Sequence, residues 1–325
     1  MVDIRFSTKD PNKYFHQLIK RSANTLVSIH ATERNGARIK DFTTRDDGSP
    51  IAYPNLKMLK LSSYYEEKYR IVIAGPVAPF MALQRLEISP VKLVDDTALA
   101  DIDGSAFRSI SISVDPETLD LLKNHKAFAS GKFPQLCHIS ADEHYQPQGR
   151  LETDHFMKYL FGFVTPATQH LAIVVERPYQ LVMDDIQSHP NLQHIQILEL
   201  KRSYLYLREM LEIIKCLPNM TSFGCELRGF GPGVKKQKNK TIPDILRSKY
   251  YPLSHRLKYW AGTGTLSVGE NTVAVSAIAL AILCPNFICV EVSTASDRYD
   301  SKLKELLDSG LYDEHAATIK RLLYN

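Results

Sequence analysis

Apolar residues return along the chain in one short pattern: an anchor, two intervening residues, then two apolar positions separated by a single residue. "YPNLKMLKLS" at Tyr53 shows it most plainly, and "FMALQRLEIS" at Phe80, "SAFRSISIS" at Ser105 and "FPQLCHISA" at Phe133 repeat it. It returns in "ATQHLAIVV" at Ala167, "HPNLQHIQI" at His189, "LPNMTSFGC" at Leu217 and "CPNFICVEV" at Cys284. The anchors fall at Leu26, Leu56, Leu83, Phe107, Leu136, Thr168, Leu192, Met220, Ser254 and Phe287, at intervals of roughly 24 to 34 residues. Counting the anchor as position zero, positions three and five carry the alternation of a strand with one buried face. Positions two, four and six then point away from the core.

Helical patterns lie between the strands. "DPETLDLLKNHKAFAS" opens with Asp115 and Pro116 as cap and first-turn residue, and "TDHFMKYLFGF" follows a capping Thr153. "YLREMLEIIKCL" places Leu207, Met210, Leu211, Ile214 and Leu217 on one stripe. One strand and one helix per repeat cannot bury both apolar faces alone, so the repeats must stack with parallel strands on one side and helices on the other. The expected fold is therefore a single α/β solenoid over residues 1–299, of about ten parallel strand-helix units. Residues 300–325, two helical pieces split near Gly310, would cap its end. "TVAVSAIALAILCPNF", Thr272 to Phe287, is apolar up to Pro285 but too short to cross a bilayer, which predicts a tightly packed buried helix.

These repeats resemble the leucine-rich-repeat class, in particular the irregular strand-and-helix repeats of fungal F-box/LRR-like proteins. The features that carry it are "YPNLKMLKL", "HPNLQHIQILEL", "LPNM" and "CPNFICVEV", with "YFHQLIKRSANTLVSIHA" at the front. The resemblance implies a ribonuclease-inhibitor-like horseshoe or arc whose strand-lined face binds another protein. It also offers an alternative, the substrate-recognition part of an F-box-type ubiquitin ligase, although no F-box-like module is recognisable before the first repeat. The Asn that regular repeats place after the second inward Leu is replaced, for example by Tyr64, Val91 and Glu176.

Composition narrows the function further. Hydrophobic residues at 44% and charged residues at 23% exclude wholesale disorder, and a net charge of +4 gives nucleic acid no strong electrostatic handle. Five cysteines without CxxC spacing argue against a disulfide framework or zinc ribbon, and with no signal-peptide pattern the expected compartment is cytoplasmic or nuclear. No feature specifies an oligomer, so a monomer outside its complex is expected, with no membrane association.

The register proposes a binding face. Position two brings His138, His170 and His194 into consecutive repeats, with Arg85 and Arg256 further along the same column. Position six adds Val174 and Leu198 as exposed neighbours, and Trp260 would present the only indole of the chain. Such a mixture suits a protein interface better than a metal or catalytic centre. No GxSxG, HExxH, kinase signature or ordered ligand set appears, so the reading is a non-enzymatic binding or scaffold protein needing no cofactor or metal. "GFGPGVKKQKNK", Gly229 to Lys240, fits neither phosphate-loop pattern because Gln237 stands where a hydroxyl is needed and Pro232 interrupts the turn. It reads as an inserted edge loop, with Lys235, Lys236, Lys238 and Lys240 the alternative site for a polyanion.

Overall fold

The computed structural model describes residues 2–8, 13–33, 45–49, 51–63, 82–88, 106–114, 133–143, 160–174, 179–231, 241–264, 270–292, 296–310 and 312–324. The chain divides into two compact units, Met1–Thr168 and Gln169–Asn325. The N-terminal unit carries strands β1 (Val2–Thr8), β2 (Leu26–Glu33), β3 (Met58–Ser63), β4 (Arg85–Ile88), β5 (Ser109–Val114) and β6 (His138–Glu143), with helix α1 (Lys13–Arg21) between the first two. Each strand pairs in parallel with its neighbour in the chain. The C-terminal unit repeats the arrangement with β7 (His170–Val174), β8 (Ile197–Tyr206), β9 (Ser222–Gly229), β10 (Tyr259–Gly264) and β11 (Cys289–Val292). Parallel neighbours in chain order are what stacked strand-and-connector repeats require, and a doubly wound sheet would break that order. Strand β1 lies ahead of the first repeat legible in the sequence.

Within each unit the inward position three forms one continuous buried row. Leu59 pairs with Leu86, Leu86 with Ile110 and Ile110 with Ile139. In the second unit Leu171 pairs with Leu198, Leu198 with Phe223 and Phe223 with Trp260. All of these side chains are buried, each contributing about 1.5–3 kcal/mol of burial. The rows hold the repeats together.

A tight turn sets the entry of several strands. The anchor's N–H donates to the carbonyl three residues earlier, as in Leu56 to Tyr53 (3.2 Å), Leu136 to Phe133 (3.1 Å), Met220 to Leu217 (3.1 Å) and Phe287 to Cys284 (2.9 Å). The Asn just before the anchor then reaches back one repeat. Asn55 Nδ2 donates to the Asn24 carbonyl at 2.6 Å, Asn219 to Gln193 at 2.8 Å and Asn286 to His255 at 2.7 Å. The recurring Pro-Asn pair thus has a physical role: it bridges repeats before the strand, where regular repeats use an Asn after it.

These bonds correct two of the expected anchors. Gln196 and Ile197 both donate to the Gln169 carbonyl, and Lys258 donates to that of Thr221. The true anchors are therefore Ile195 and Leu257, both fully buried. Leu192 sits three residues earlier, inside a 3-10 turn over Pro190–His194, and Ile195 donates to its carbonyl at 3.0 Å. Ser254 occupies the equivalent place, its Oγ accepting from the N–H groups of Arg256 and Leu257, both at 3.2 Å. A shift of three is odd and strand faces alternate every residue. Inward and outward positions therefore exchange in these two repeats.

The C-terminal unit also contains helices α2 (Tyr179–Ser188), α3 (Leu207–Cys216), α4 (Ile242–Tyr250), α5 (Glu270–Leu283), α6 (Ser296–Asp308) and α7 (Ala316–Tyr324). Helix α3 buries the expected stripe of Leu207, Met210, Leu211 and Ile214, and its Glu209 accepts from the Tyr206 N–H at 2.8 Å. Thr241 caps α4: its N–H donates to Asp244 Oδ2 at 3.1 Å and its Oγ1 accepts from the Asp244 N–H at 3.4 Å. Helix α5 is apolar on every side and buried from Val273 to Ala281, which is why it lies under α6 and α7. Arg321 on α7 donates to the Ala281 carbonyl at 3.2 Å, and the buried His315 ring meets Asp244 Oδ1 at 2.8 Å. Among the described residues no helix is long and apolar enough to cross a membrane. The helices expected at Asp115 and Thr153 lie outside the described residues, apart from the last residues of the second pattern.

Candidate functional site

In the N-terminal unit the outward position two reads Ser28, Met58, Arg85, Ser109 and His138, and position four reads His30, Lys60, Glu87, Ser111 and Ser140. Glu87 receives Lys60 on Oε2 and Arg85 on Oε1, both at 2.6 Å. Burial opposes ionisation of Glu87, yet the Lys60 hydrogen bond and the Arg85 charge outweigh it and hold the carboxyl below its usual range. The Arg85 side chain stays half exposed.

The strand face of the C-terminal unit is built differently. His170 stands at position two of β7 and Glu199 at position four of β8, with His170 Nε2 and Glu199 Oε1 3.1 Å apart. Lys201 approaches the other oxygen at 3.0 Å. The His170 hydrogen bond is the strongest influence on Glu199; with Lys201 it overcomes burial and lowers the carboxyl to about 2. A group so acidic is a fixed charge at neutral pH and no proton shuttle, because general acid-base work needs a pKa near the operating pH.

Beside Glu199 the face is shallow. Gly224 of β9 is opposite Glu199, and Ala261 of β10 is opposite Gly224. A Cβ on Gly224 would come within 3.4 Å of Glu199 Cγ and 3.7 Å of Ala261 Cβ, so the glycine keeps this floor low. Tyr259 rises from the floor's edge 48% exposed, and Ile288, at the entry of β11, is 40% exposed. Ser222 pairs with Tyr259 across β9 and β10.

The corrected register relocates several expected binding residues. Leu198 and Trp260 are buried at 3% and 1% exposure, because both occupy the inward position three. Neither lies on the outward face. Ile197 and Tyr259 take the outward places next to them. His194 is exposed at the end of the 3-10 turn, whereas the residue opposite His170 is Ile197, so these two histidines do not form a column. His138 belongs to the N-terminal unit. Val174 ends β7, half-buried and opposite Lys201, and Arg256 is exposed in the turn before Leu257. Arg85 is where the register put it.

Cys225, two residues along β9 from Trp260's partner Phe223, has its thiol pushed up to about 12 by burial, against which a hydrogen bond with the Trp260 side chain works. Of the glycine-rich stretch, Gly229 and Gly231 are described, and they pack on Tyr206. Gly231 has φ +101, and a Cβ there would stand 3.1 Å from Tyr206 Cβ, so its glycine serves close approach between segments. The lysines at 235, 236, 238 and 240 lie outside the described residues. Sequence reasoning passed over Glu199 and Tyr259; the signal available was the Leu257-x-x-Trp260 spacing, which matches the anchor pattern better than Ser254-x-x-Leu257 does.

No protein-family model matches the chain, and no curated protein matches it.

Proposed function

We propose that this chain is a non-enzymatic, leucine-rich-repeat-like protein that binds another protein through the strand-lined face of its C-terminal unit. The observation that carries the reading is the pairing of exposed Tyr259 and Ile288 with the low Gly224–Ala261 floor and the fixed charge of Glu199. Aromatic side chains on a flat platform are the usual anchors of protein interfaces, and a partner covering them removes apolar surface that water now touches. Buried anchors, parallel strands in chain order and Asn bridges between repeats support the repeat class. The Glu199 carboxylate would select a partner offering a cation or N–H donors beside its apolar contact. Affinity capture from cell extract tests this, comparing the intact chain with a Tyr259→Glu, Ile288→Glu double variant of unchanged circular dichroism. Partners should be lost with the variant. Retention of every partner would remove this face from consideration.

A further inference from the structure

The outward positions of the N-terminal unit carry a different chemistry from those around Tyr259. Lys57, Gln84 and Arg108 form the row just before position two, linked by backbone hydrogen bonds from Gln84 to Lys57 and from Arg108 to Gln84, both 2.9 Å. With Arg85 and Lys60, Lys57 and Arg108 make four cations on, or one residue ahead of, three adjacent strands. Among the described residues at positions one, two and four of β2 to β6, the one carboxylate is Glu87. It is largely covered and has both oxygens engaged.

We propose that this face binds an acidic segment of a partner polypeptide, with side-chain carboxylates seated on Arg85, Lys60 and Lys57. The proposal is independent of the Tyr259 face. Charge complementarity identifies the occupant, and the geometry refines it. Glu87 takes one bond from the Arg85 guanidinium and so fixes its plane, while that group has five N–H donors and is half exposed. A guanidinium already held in place loses less side-chain entropy on meeting a second carboxylate. Ser109 and Ser111 stand one strand over, level with Arg85 and Glu87, and their hydroxyls can satisfy the incoming peptide backbone.

A nucleic acid suits this surface less well. Three strands about 4.8 Å apart span only about 10 Å, whereas a phosphate backbone gains affinity from a long run of cations. Glu87 in the centre would also repel a closely tracking phosphate chain. Discrete carboxylates on a flexible chain fit a patch of that width.

The test uses the full chain and fluorescence anisotropy with a fluorescein-labelled peptide of alternating Glu and Gly. Its Gln-for-Glu counterpart and a labelled oligothymidylate of similar length are measured beside it. The Glu peptide should bind, weaken as salt rises, and lose roughly tenfold or more in affinity with Arg85→Gln combined with Lys60→Gln. A Lys57→Gln variant, altered at an exposed site, should show a smaller loss in the same direction and guards against misfolding of the double variant. A Lys235→Gln, Lys236→Gln variant should bind as the parent does. Equal binding of the Gln peptide, tighter binding of the oligothymidylate, unchanged affinity in the Arg85 and Lys60 variant, or loss confined to the Lys235 and Lys236 variant would each overturn the proposal.

Discussion

Trp260 and Tyr259 are adjacent in sequence and opposite in environment, so truncating each in turn separates core from surface. Trp260 is 1% exposed and continues the row from Leu171 through Leu198 and Phe223. Removing a buried Trp side chain to Ala costs about 3–5 kcal/mol. The expectation for Trp260→Ala is therefore a loss of about 3–5 kcal/mol. Tyr259 is 48% exposed, and its truncation should stay within about 1 kcal/mol. With a urea slope of about 2 kcal/mol per molar, Trp260→Ala should lower the unfolding midpoint by about 1.5–2.5 M and Tyr259→Ala by less than about 0.5 M. Trp260→Phe keeps most of the buried ring area, so it should fall between the parent and Trp260→Ala. Far-UV circular dichroism against urea reads all three. Equal losses at 259 and 260, or a larger loss at 259, would refute the inward place of Trp260 on β10.

Acid should weaken the C-terminal unit through Glu199. Its folded pKa of about 2 lies below the ordinary glutamate value of 4.5, so its stabilising contribution is complete above about pH 4.5 and disappears as pH falls toward 2. Glu199→Gln should therefore flatten the decline of the urea midpoint across that window, and a parallel decline in parent and variant would refute the assignment. Deleting residues 300–325 removes most of α6 and all of α7 from α5, exposing a helix that is apolar on every side. The truncated protein should aggregate or lose cooperative unfolding; an equally stable, monomeric product in light scattering and urea titration would show that these helices are no cap.

The repeat was legible because its buried positions are spaced by strand geometry, and Leu56, Leu59, Leu136 and Ile139 could occupy no other places. Helix α3 was equally legible from its stripe. The two misplaced anchors have a common physical origin. Several entry turns carry a buried residue three places before the anchor, such as Tyr53, Leu217 or Cys284, so an apolar side chain suits both slots. In "HPNLQHIQI" the earlier slot imitates the Pro-Asn-Leu motif, and only the backbone bonds to Gln169 distinguish them. The face inherits that ambiguity: whether Trp260 or Tyr259 faces outward depends on a single odd shift. Glu199 was hidden for another reason, since its importance arises from His170 on a neighbouring strand and Lys201 beside it, not from any local motif.

Because Trp260 is the sole indole of the chain and lies in the core of the C-terminal unit, intrinsic fluorescence is a private channel to that unit. A buried indole emits at shorter wavelength than a hydrated one. A red shift during denaturation thus dates the opening of β10, while melting of the N-terminal unit leaves the spectrum unchanged. Circular dichroism registers the helices and strands of both units together. If the two signals trace one curve, the units lose structure in a single event; if emission shifts while ellipticity still has a plateau to cross, the chain holds two separable folding reactions.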